Sequence, residues 1–549
     1  MNAAPLLCIQ NLNVTIAGTQ VLKSLTLDVA PGEILALVGE SGSGKSMTAR
    51  AILGLLPPGG QATGSITLSG RELLGLDDGA LRQVRGRQIG LVSQEPMTAL
   101  NPVLTIGDQV AECFRLHQGV SQAEALRLAQ ETLERVELPA ARFPLSRYPH
   151  ELSGGQRQRV AIAIAIALKP RLLIADEPTT ALDVTTQAQI MALLRALVRD
   201  SGIGIVLITH DLGVVAEAAD RVAVMHQGAI VEAADTLTLF GQMRHPYTRA
   251  LLAAATYVPP SRPVPVPRPG EPPVLSVQGV VREYAGPRRG LFTRPPRFRA
   301  VDAVGFTIAP GESLGLVGES GCGKSTLLRA ILALDRLQGG EVLVAGEDFG
   351  PDHPAALRRL RARIQVVFQD PFGSFNPRWT VERLVAENFH LLDQPPSKAE
   401  QRRRVQDLLE RMGLQAGDAD RYPHEFSGGQ RQRIAIARAL ITQPRVIALD
   451  EAVSALDVTV RRQILDLLAD LSRQQGLSYL FVTHDLSVVR AITDKVAVMQ
   501  GGRIVEIGDT DQVFAHPQHP YTQSLLAATP DIDRALAARR AVSGPVHPA

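Results

Sequence analysis

Three cysteines in 549 residues, Cys8, Cys113 and Cys322, are too few and too far apart for a disulfide framework. No CxxC pair exists to hold zinc or an iron–sulfur cluster, so a reducing compartment is expected. A charge excess is missing as well. The 57 basic side chains stand against 55 acidic ones, a net of +2 that leaves no electrostatic footprint for nucleic acid. Long apolar runs are also lacking. VAIAIAIAL at 160–168 is about half the ~18–20 residues that a spanning helix needs. The first residues, MNAAPLLCIQNLNV, have neither a basic start nor a long apolar stretch, so no signal peptide is read. The expectation is a soluble, cytoplasmic chain whose membrane spans, if any are needed, come from other subunits. Lysine is scarce too: six of the 57 basic residues, the rest being arginine.

What remains is ordinary globular composition, 45% hydrophobic and 20% charged, in a chain too long for one core. The chain is written twice. GESGSGKSM at 39–47 returns as GESGCGKST at 318–326, SGGQRQR at 153–159 returns at 427–433, and LIADEPTTALDV at 173–184 returns as IALDEAVSALDV at 447–458. THDL (209–212, 483–486) and HPYT (245–248, 519–522) recur in the same order, so a domain has been duplicated. Between the copies, 259–273 holds eight prolines in fifteen positions, which suits an extended polyproline linker. The domains are placed at 1–258 and 274–549. A basic stretch, 286–299, has no counterpart in the first copy; it reads as a solvated loop, with contact to a partner or lipid head groups left open.

EILALVG (33–39), ESLGLVG (312–318), LLIAD (172–176), VIALD (446–450), GIVLITH (204–210) and SYLFVTH (478–484) are apolar at nearly every position. Such runs suit parallel strands buried on both faces, and strand–loop–helix units in series predict an α/β core.

The chemistry sits at the ends of these runs. GxxxxGK[ST] is a phosphate-binding loop, formed here by Gly39, Glu40, Ser41, Gly42, Ser43, Gly44, Lys45, Ser46 and Met47, and again by Gly318, Glu319, Ser320, Gly321, Cys322, Gly323, Lys324, Ser325 and Thr326. Glycines let successive N–H groups face an anion, and the following helix aims its positive end there. Lys45 and Lys324 suit the β/γ-phosphates, and Ser46 and Ser325 suit Mg²⁺. An arginine-rich chain keeps lysine at both places, where a compact ammonium fits and a planar guanidinium does not. Asp176 and Asp450 end apolar strands, as carboxylates holding magnesium do. Glu177 and Glu451 follow, on the opposite side of the strand, and are assigned as general bases. His210 and His484 end a further strand and are read as γ-phosphate sensors. Gln94 and Gln369, after the strands IGLVS and IQVVF, are candidates to ligate Mg²⁺ or order the water.

With LSGGQ at 152–156 and FSGGQ at 426–430, the chain resembles the nucleotide-binding domains of ATP-binding cassette (ABC) transporters over nearly its whole length. That resemblance implies two tandem domains, each a RecA-like core with a helical and an antiparallel β subdomain. It implies two composite ATP sites: Lys45, Ser46, Gln94, Asp176, Glu177 and His210 completed by Ser427, Gly428, Gly429 and Gln430, and Lys324, Ser325, Gln369, Asp450, Glu451 and His484 completed by Ser153, Gly154, Gly155 and Gln156. Asp183 and Asp457 match the loop that communicates between the halves. QEPMTALNP (94–102), QDPFGSFNP (369–377), YPHEL, YPHEF and the HPYT tails resemble the dipeptide, oligopeptide and nickel importer branch, in its fused form. The resemblance therefore implies an ATPase on the cytoplasmic face of two permease subunits, served by an extracytoplasmic solute-binding protein, with no nucleic-acid partner.

Three departures stand out. The aromatic that stacks adenine in this family is matched by Tyr284, but Ile16 occupies the comparable place in the first copy, where the first aromatic of the chain is Phe114. Weaker adenine discrimination is expected at the Lys45 site. Ala452 replaces the proline found as Pro178, which should loosen the second turn without removing Glu451. No cysteine cluster follows HPYT, so no iron–sulfur cluster is expected; Cys322 reads as a space-filling residue, with an oxidation or alkylation target as the alternative. A soluble twin-cassette ATPase acting on ribosomes or nucleic acid is the rival class, against which the short proline-rich linker and near-neutral charge argue.

Overall fold

ILALV (Ile34–Val38) and SLGLV (Ser313–Val317) are buried at all five positions, as parallel strands covered on both faces must be. The computed structural model describes every residue except 1–3, 94–98, 181, 260–269, 287–296, 349–353, 371–372, 454–455 and 544–549. Gln94, most of the proline-rich linker and most of the basic 286–299 stretch thus lie outside the described residues. The chain falls into two units, Met1–Thr256 with Pro530–Ala549, and Tyr257–Thr529.

In the first unit the strands are β1 (Leu7–Ile16), β2 (Thr19–Val29), β3 (Ile34–Val38), β4 (Gly60–Leu68), β5 (Arg71–Glu72), β6 (Ile89–Val92), β7 (Leu172–Asp176), β8 (Gly204–Ile208), β9 (Arg221–His226) and β10 (Ala229–Asp235). They form an antiparallel sheet, β2-β1-β4-β5, and a six-stranded sheet, β10-β9-β3-β8-β7-β6, parallel except for β10 at its edge. Both sheets feed one core, in which Leu7, Ile9 and Leu25 meet Leu35, Leu37, Ile174 and Val206. Helices Ile106–Gln118, Gln122–Arg135 and Gly154–Ile166 make the helical subdomain, with Val110, Phe114, Leu133 and Val160 buried. Thr105 and Ser121 cap the first two, each accepting the N–H of the third residue of its helix.

The second unit repeats the plan with β11 (Leu275–Ala285), β12 (Arg297–Ile308), β13 (Ser313–Val317), β14 (Gly339–Val344), β15 (Glu347–Asp348), β16 (Ile364–Val367), β17 (Val446–Asp450), β18 (Ser478–Val482), β19 (Lys495–Gln500) and β20 (Arg503–Asp509). Its sheets run β12-β11-β14-β15 and β16-β17-β18-β13-β19-β20, the same two topologies.

The expected second domain, 274–549, differs from the observed unit at both ends. Tyr257 belongs to the second unit, where its hydroxyl donates to Asp466. The last helix, Ile532–Ser543, groups with the first unit and packs on the helix Leu212–Ala218. Arg539 Nε and Nη2 donate to the carbonyls of Ala216 and Glu217 at 2.7 and 2.9 Å. A helix ends with carbonyls that have no partner inside it, and a cation there also opposes the negative end of the dipole. Ala535 and Leu536 of this last helix are themselves buried. Truncation after Thr529 should therefore lower the first unit's melting transition by about 3–6 °C, at ~2–4 °C per kcal/mol for units of this size. Differential scanning calorimetry reads the shift; an unmoved transition would show the tail to be idle.

Candidate functional site

Parallel strands bring their C-terminal ends to one edge, and in open α/β sheets that edge is where ligands are held. In the first unit Leu37 and Asp176 both pair with Ile208, so β3, β7 and β8 end level. The loop after β3, the carboxylates after β7 and the histidine after β8 thus converge. The second unit does the same, with Leu316 and Asp450 both paired to Val482.

Gly44 and Gly323 stand just before helices Lys45–Ile52 and Lys324–Ile331, whose first N–H groups have no helical partner. Lys45 is buried and folds back over its own loop, its Nζ donating to the carbonyls of Gly39 and Glu40 at 2.8 Å each. Lys324 repeats this toward Gly318 and Glu319 at 2.6 and 2.9 Å. Cys322 is buried among the second unit's core side chains, and that burial pushes its thiol up. The space-filling reading of Cys322 accords with this packing.

Asp176 accepts from Ser46 Oγ at 3.2 Å. Burial pushes its carboxyl upward, with the hydroxyl of Ser46 and the charge of Lys45 opposing. Asp450 has no such hydroxyl bond among the described residues, and burial together with adjacent Glu451 carries it to about 6 against the pull of Lys324. Gln369 and Asp450 line one cleft of about 630 Å³, with Arg438, Glu387 and Asn388 also in its wall.

Each glutamate is paired with a histidine. His210 Nδ1 lies 3.2 Å from Glu177 Oε1, and His484 Nδ1 lies 3.0 Å from Glu451 Oε1. Thr180 Oγ1 donates to the other oxygen of Glu177 at 2.9 Å. Burial alone would raise both carboxyls, but the histidine bonds and the nearby lysines outweigh it and hold them below the ordinary value. An ionised carboxylate only accepts, so the Nδ1 of each histidine carries the proton in that bond.

Glu177 and Glu451 do not lie where an extended strand would put them. They are not the next residues of a strand: β7 and β17 end at Asp176 and Asp450, and Glu177 and Glu451 take the left-handed conformation, φ 49° and 48°. That costs a non-glycine residue about 1–2 kcal/mol. The turn is held by their N–H groups donating to Ile208 and Val482 at 2.8 Å. The near-identical φ shows that Ala452 leaves the backbone at Glu451 as Pro178 leaves it at Glu177.

Ser153 and Gln156 cap each other at the start of Gly154–Ile166, and Ser427 and Gln430 do so at Gly428–Leu440. Asp183 and Asp457 cap the helices that follow them. Ile16 packs against the first unit's core, whereas Tyr284, next to last in β11, is 38% exposed, its hydroxyl donating to Asp335 and one ring face under Arg282 at 4.3 Å.

Sequence reasoning missed one pair. The tyrosines of the HPYT tails reach the phosphate loops: Tyr247 and Tyr521 hydroxyls accept from the N–H of Glu40 and Glu319 at 3.1 and 2.9 Å. The repetition of HPYT marked these residues, but nothing local in the sequence tells where they point.

The family model described as ABC transporter matches residues 22–180 and 301–454, and the one described as oligopeptide/dipeptide transporter, C-terminal region, matches 231–278 and 505–547. The glutathione import ATP-binding protein GsiA of Escherichia coli strain K12 is 47% identical over 568 residues, spanning 96% of this chain and 90% of that protein. Its counterpart in Salmonella typhimurium strain LT2 is 47% identical over 570 residues, spanning 97% and 91%. The structure of cbiO1 from Clostridium perfringens is 28% identical and covers 44% of this chain and 91% of its own, with a TM-score of 0.39.

Proposed function

This chain belongs to the ABC transporter ATPase family and carries its cassette twice, and from that premise we propose that it powers the import of peptide-like solutes, glutathione among them. The observation that carries the reading is the twofold convergence of lysine, aspartate and a histidine-held glutamate at the ends of parallel strands, each cassette followed by an oligopeptide-type tail.

Lys45 and Lys324 exchange their loop carbonyls for the phosphates of ATP. Glu177 and Glu451 accept a proton from the attacking water, and His210 and His484 hold them in place for it. Magnesium fits the same edge: the donor set is all oxygen, Ser46 and Asp176 already touch, and Asp450 is a half-buried carboxylate that lacks a hydroxyl partner among the described residues. Ser46, Asp176, Ser325, Asp450 and Gln369 would hold it, and when bound it supplies charge that neutralises the phosphates. Adenine stacks on the open face of Tyr284 in the second unit, while Ile16 gives the first unit only an apolar contact.

No described helix is long and apolar enough to cross a membrane. We infer two permease subunits as partners, with this chain at their inner face and a solute-binding protein acting through them. Affinity purification of the full chain from membranes tests this. Recovery of two polytopic proteins, with loss of glutathione or dipeptide uptake on deletion, is the expected result. Recovery of ribosomes or nucleic acid with uptake intact would overturn it.

A further inference from the structure

Tyr247 and Tyr521 are placed by tertiary architecture. Glu232, on β10, accepts from the N–H groups of Arg244 and His245 at 2.8 and 3.0 Å, and Glu506, on β20, accepts from Gln518 and His519 at 2.8 and 3.1 Å. Those bonds fix where the tail helices Pro246–Ala255 and Pro520–Ala528 begin. Pro246 and Pro520 occupy the first turn, where a missing N–H costs nothing. His245 and His519 cap the helices, Nδ1 of each accepting from the N–H of the tyrosine two residues on, at 3.2 Å.

The hydroxyl then meets a particular peptide plane. The N–H of Glu40 and the carbonyl of Gly39 belong to one peptide unit; Tyr247 takes the N–H and Lys45 Nζ donates to the carbonyl. In the second unit Tyr521 takes the N–H of Glu319 and Lys324 Nζ donates to the carbonyl of Gly318. Tyrosine and lysine therefore grip the two poles of the same amide, and hydrogen bonds in series polarise one another. The His226 ring packs at a tilt against Tyr247, 4.0 Å between centroids, yet Gln500 stands at the matching place in the second copy, so the phenol bond does not depend on that ring.

We propose that Tyr247 and Tyr521 are positioning residues for nucleotide binding: they hold the first peptide of each phosphate loop when the lysine leaves it for the phosphates. Without the hydroxyl that peptide loses one of the bonds that hold it just as the ammonium departs, and ATP must bind a less ordered loop. The hydroxyl acts through the loop and does not touch the reacting atoms. Its loss falls on binding and spares turnover.

The proposal rests on the ATPase reading, and the experiment separates the two. Full-length wild-type chain, Tyr247→Phe and Tyr521→Phe are compared by titration with a fluorescent ATP analogue and magnesium, by steady-state ATPase kinetics and by thermal melting. Each phenylalanine variant should raise KM for ATP, and weaken analogue binding at its own site, by about three- to tenfold, the worth of one neutral hydrogen bond. kcat should stay within about twofold, since no group in contact with the reacting atoms is altered. His519→Ala, which loosens the cap that aims Tyr521 and leaves its hydroxyl, should raise KM in the same direction. A wild-type chain that neither binds nor hydrolyses ATP would refute the ATPase reading. An active wild type with KM and affinity unmoved in all three variants, whether or not their melting falls, overturns the positioning role.

Discussion

The double variant Glu177→Gln, Glu451→Gln should turn over ATP about 10²–10⁴-fold more slowly than wild type, the usual worth of a positioned general base. The substitution isolates basicity from geometry. The carboxamide oxygen can still accept from the Nδ1–H of His210 or His484, at the 3.2 and 3.0 Å now occupied by carboxylate. At residue 177 the amide nitrogen can donate to the hydroxyl of Thr180, reversing the present 2.9 Å bond. Neither the left-handed backbone nor its N–H bonds to Ile208 and Val482 depend on the charge. Nucleotide affinity should therefore persist while hydrolysis fails, a loss of about 3–5 kcal/mol in transition-state stabilisation. Each single variant should remove at least its own site's share of turnover. Steady-state hydrolysis at saturating ATP makes the measurement; a single variant with turnover intact denies its glutamate the role of base.

How far the sequence revealed this site follows from the range of the forces involved. ILALV, LLIAD and GIVLI read as parallel strands covered on both faces because they are apolar nearly throughout, and the structure buries every position of them but Asp176 at the end of LLIAD. The loops, carboxylates and histidines were legible because each chemistry demands fixed residue types at the end of such a run. The left-handed turn at Glu177 and Glu451 was not, since glutamate has no local preference for it and the bond that imposes it comes from β8 or β18. The tail tyrosines were visible as a repeated motif yet silent about direction. Their target lies about 200 residues away in the chain, and only the latch of Glu232 or Glu506 on the preceding turn decides the aim. Arg539 is farther still from Ala216, and no periodicity or spacing could relate a last-helix arginine to carbonyls 323 residues earlier. Local rules reach motifs and strands; long-range capping and bracing become visible only once the chain is folded.

Gly39→Ala should weaken ATP binding at the first site on the order of 100-fold, the upper end of what overpacking costs. A methyl group there would sit 2.2 Å from the carbonyl oxygen of Met225 and 2.9 Å from Ser43 Oγ. Met225 lies on β9, whose neighbouring residue Val224 pairs with Val38, so the loop's first residue is pressed against a strand that cannot yield. No rotamer change relieves a clash with backbone. The loop has to lift away, taking with it the Gly39 carbonyl that anchors Lys45. Backbone conformation adds to the cost, because φ at Gly39 is 154°, a region that side chains avoid. Gly318 faces the same obstacle, 2.2 Å from the Met499 carbonyl, and its alanine variant should cripple the second site equally. Gly202→Ala separates the two effects. Gly202 also has positive φ, 65°, but nothing lies within 4 Å of the added methyl, so it should cost about 1 kcal/mol of stability and leave ATP affinity alone. Calorimetric titration with ATP, beside thermal melting, reads both quantities. If Gly39→Ala bound ATP as wild type does while melting like Gly202→Ala, the loop would not be seated against β9 and the account of how the lysine is presented would be wrong.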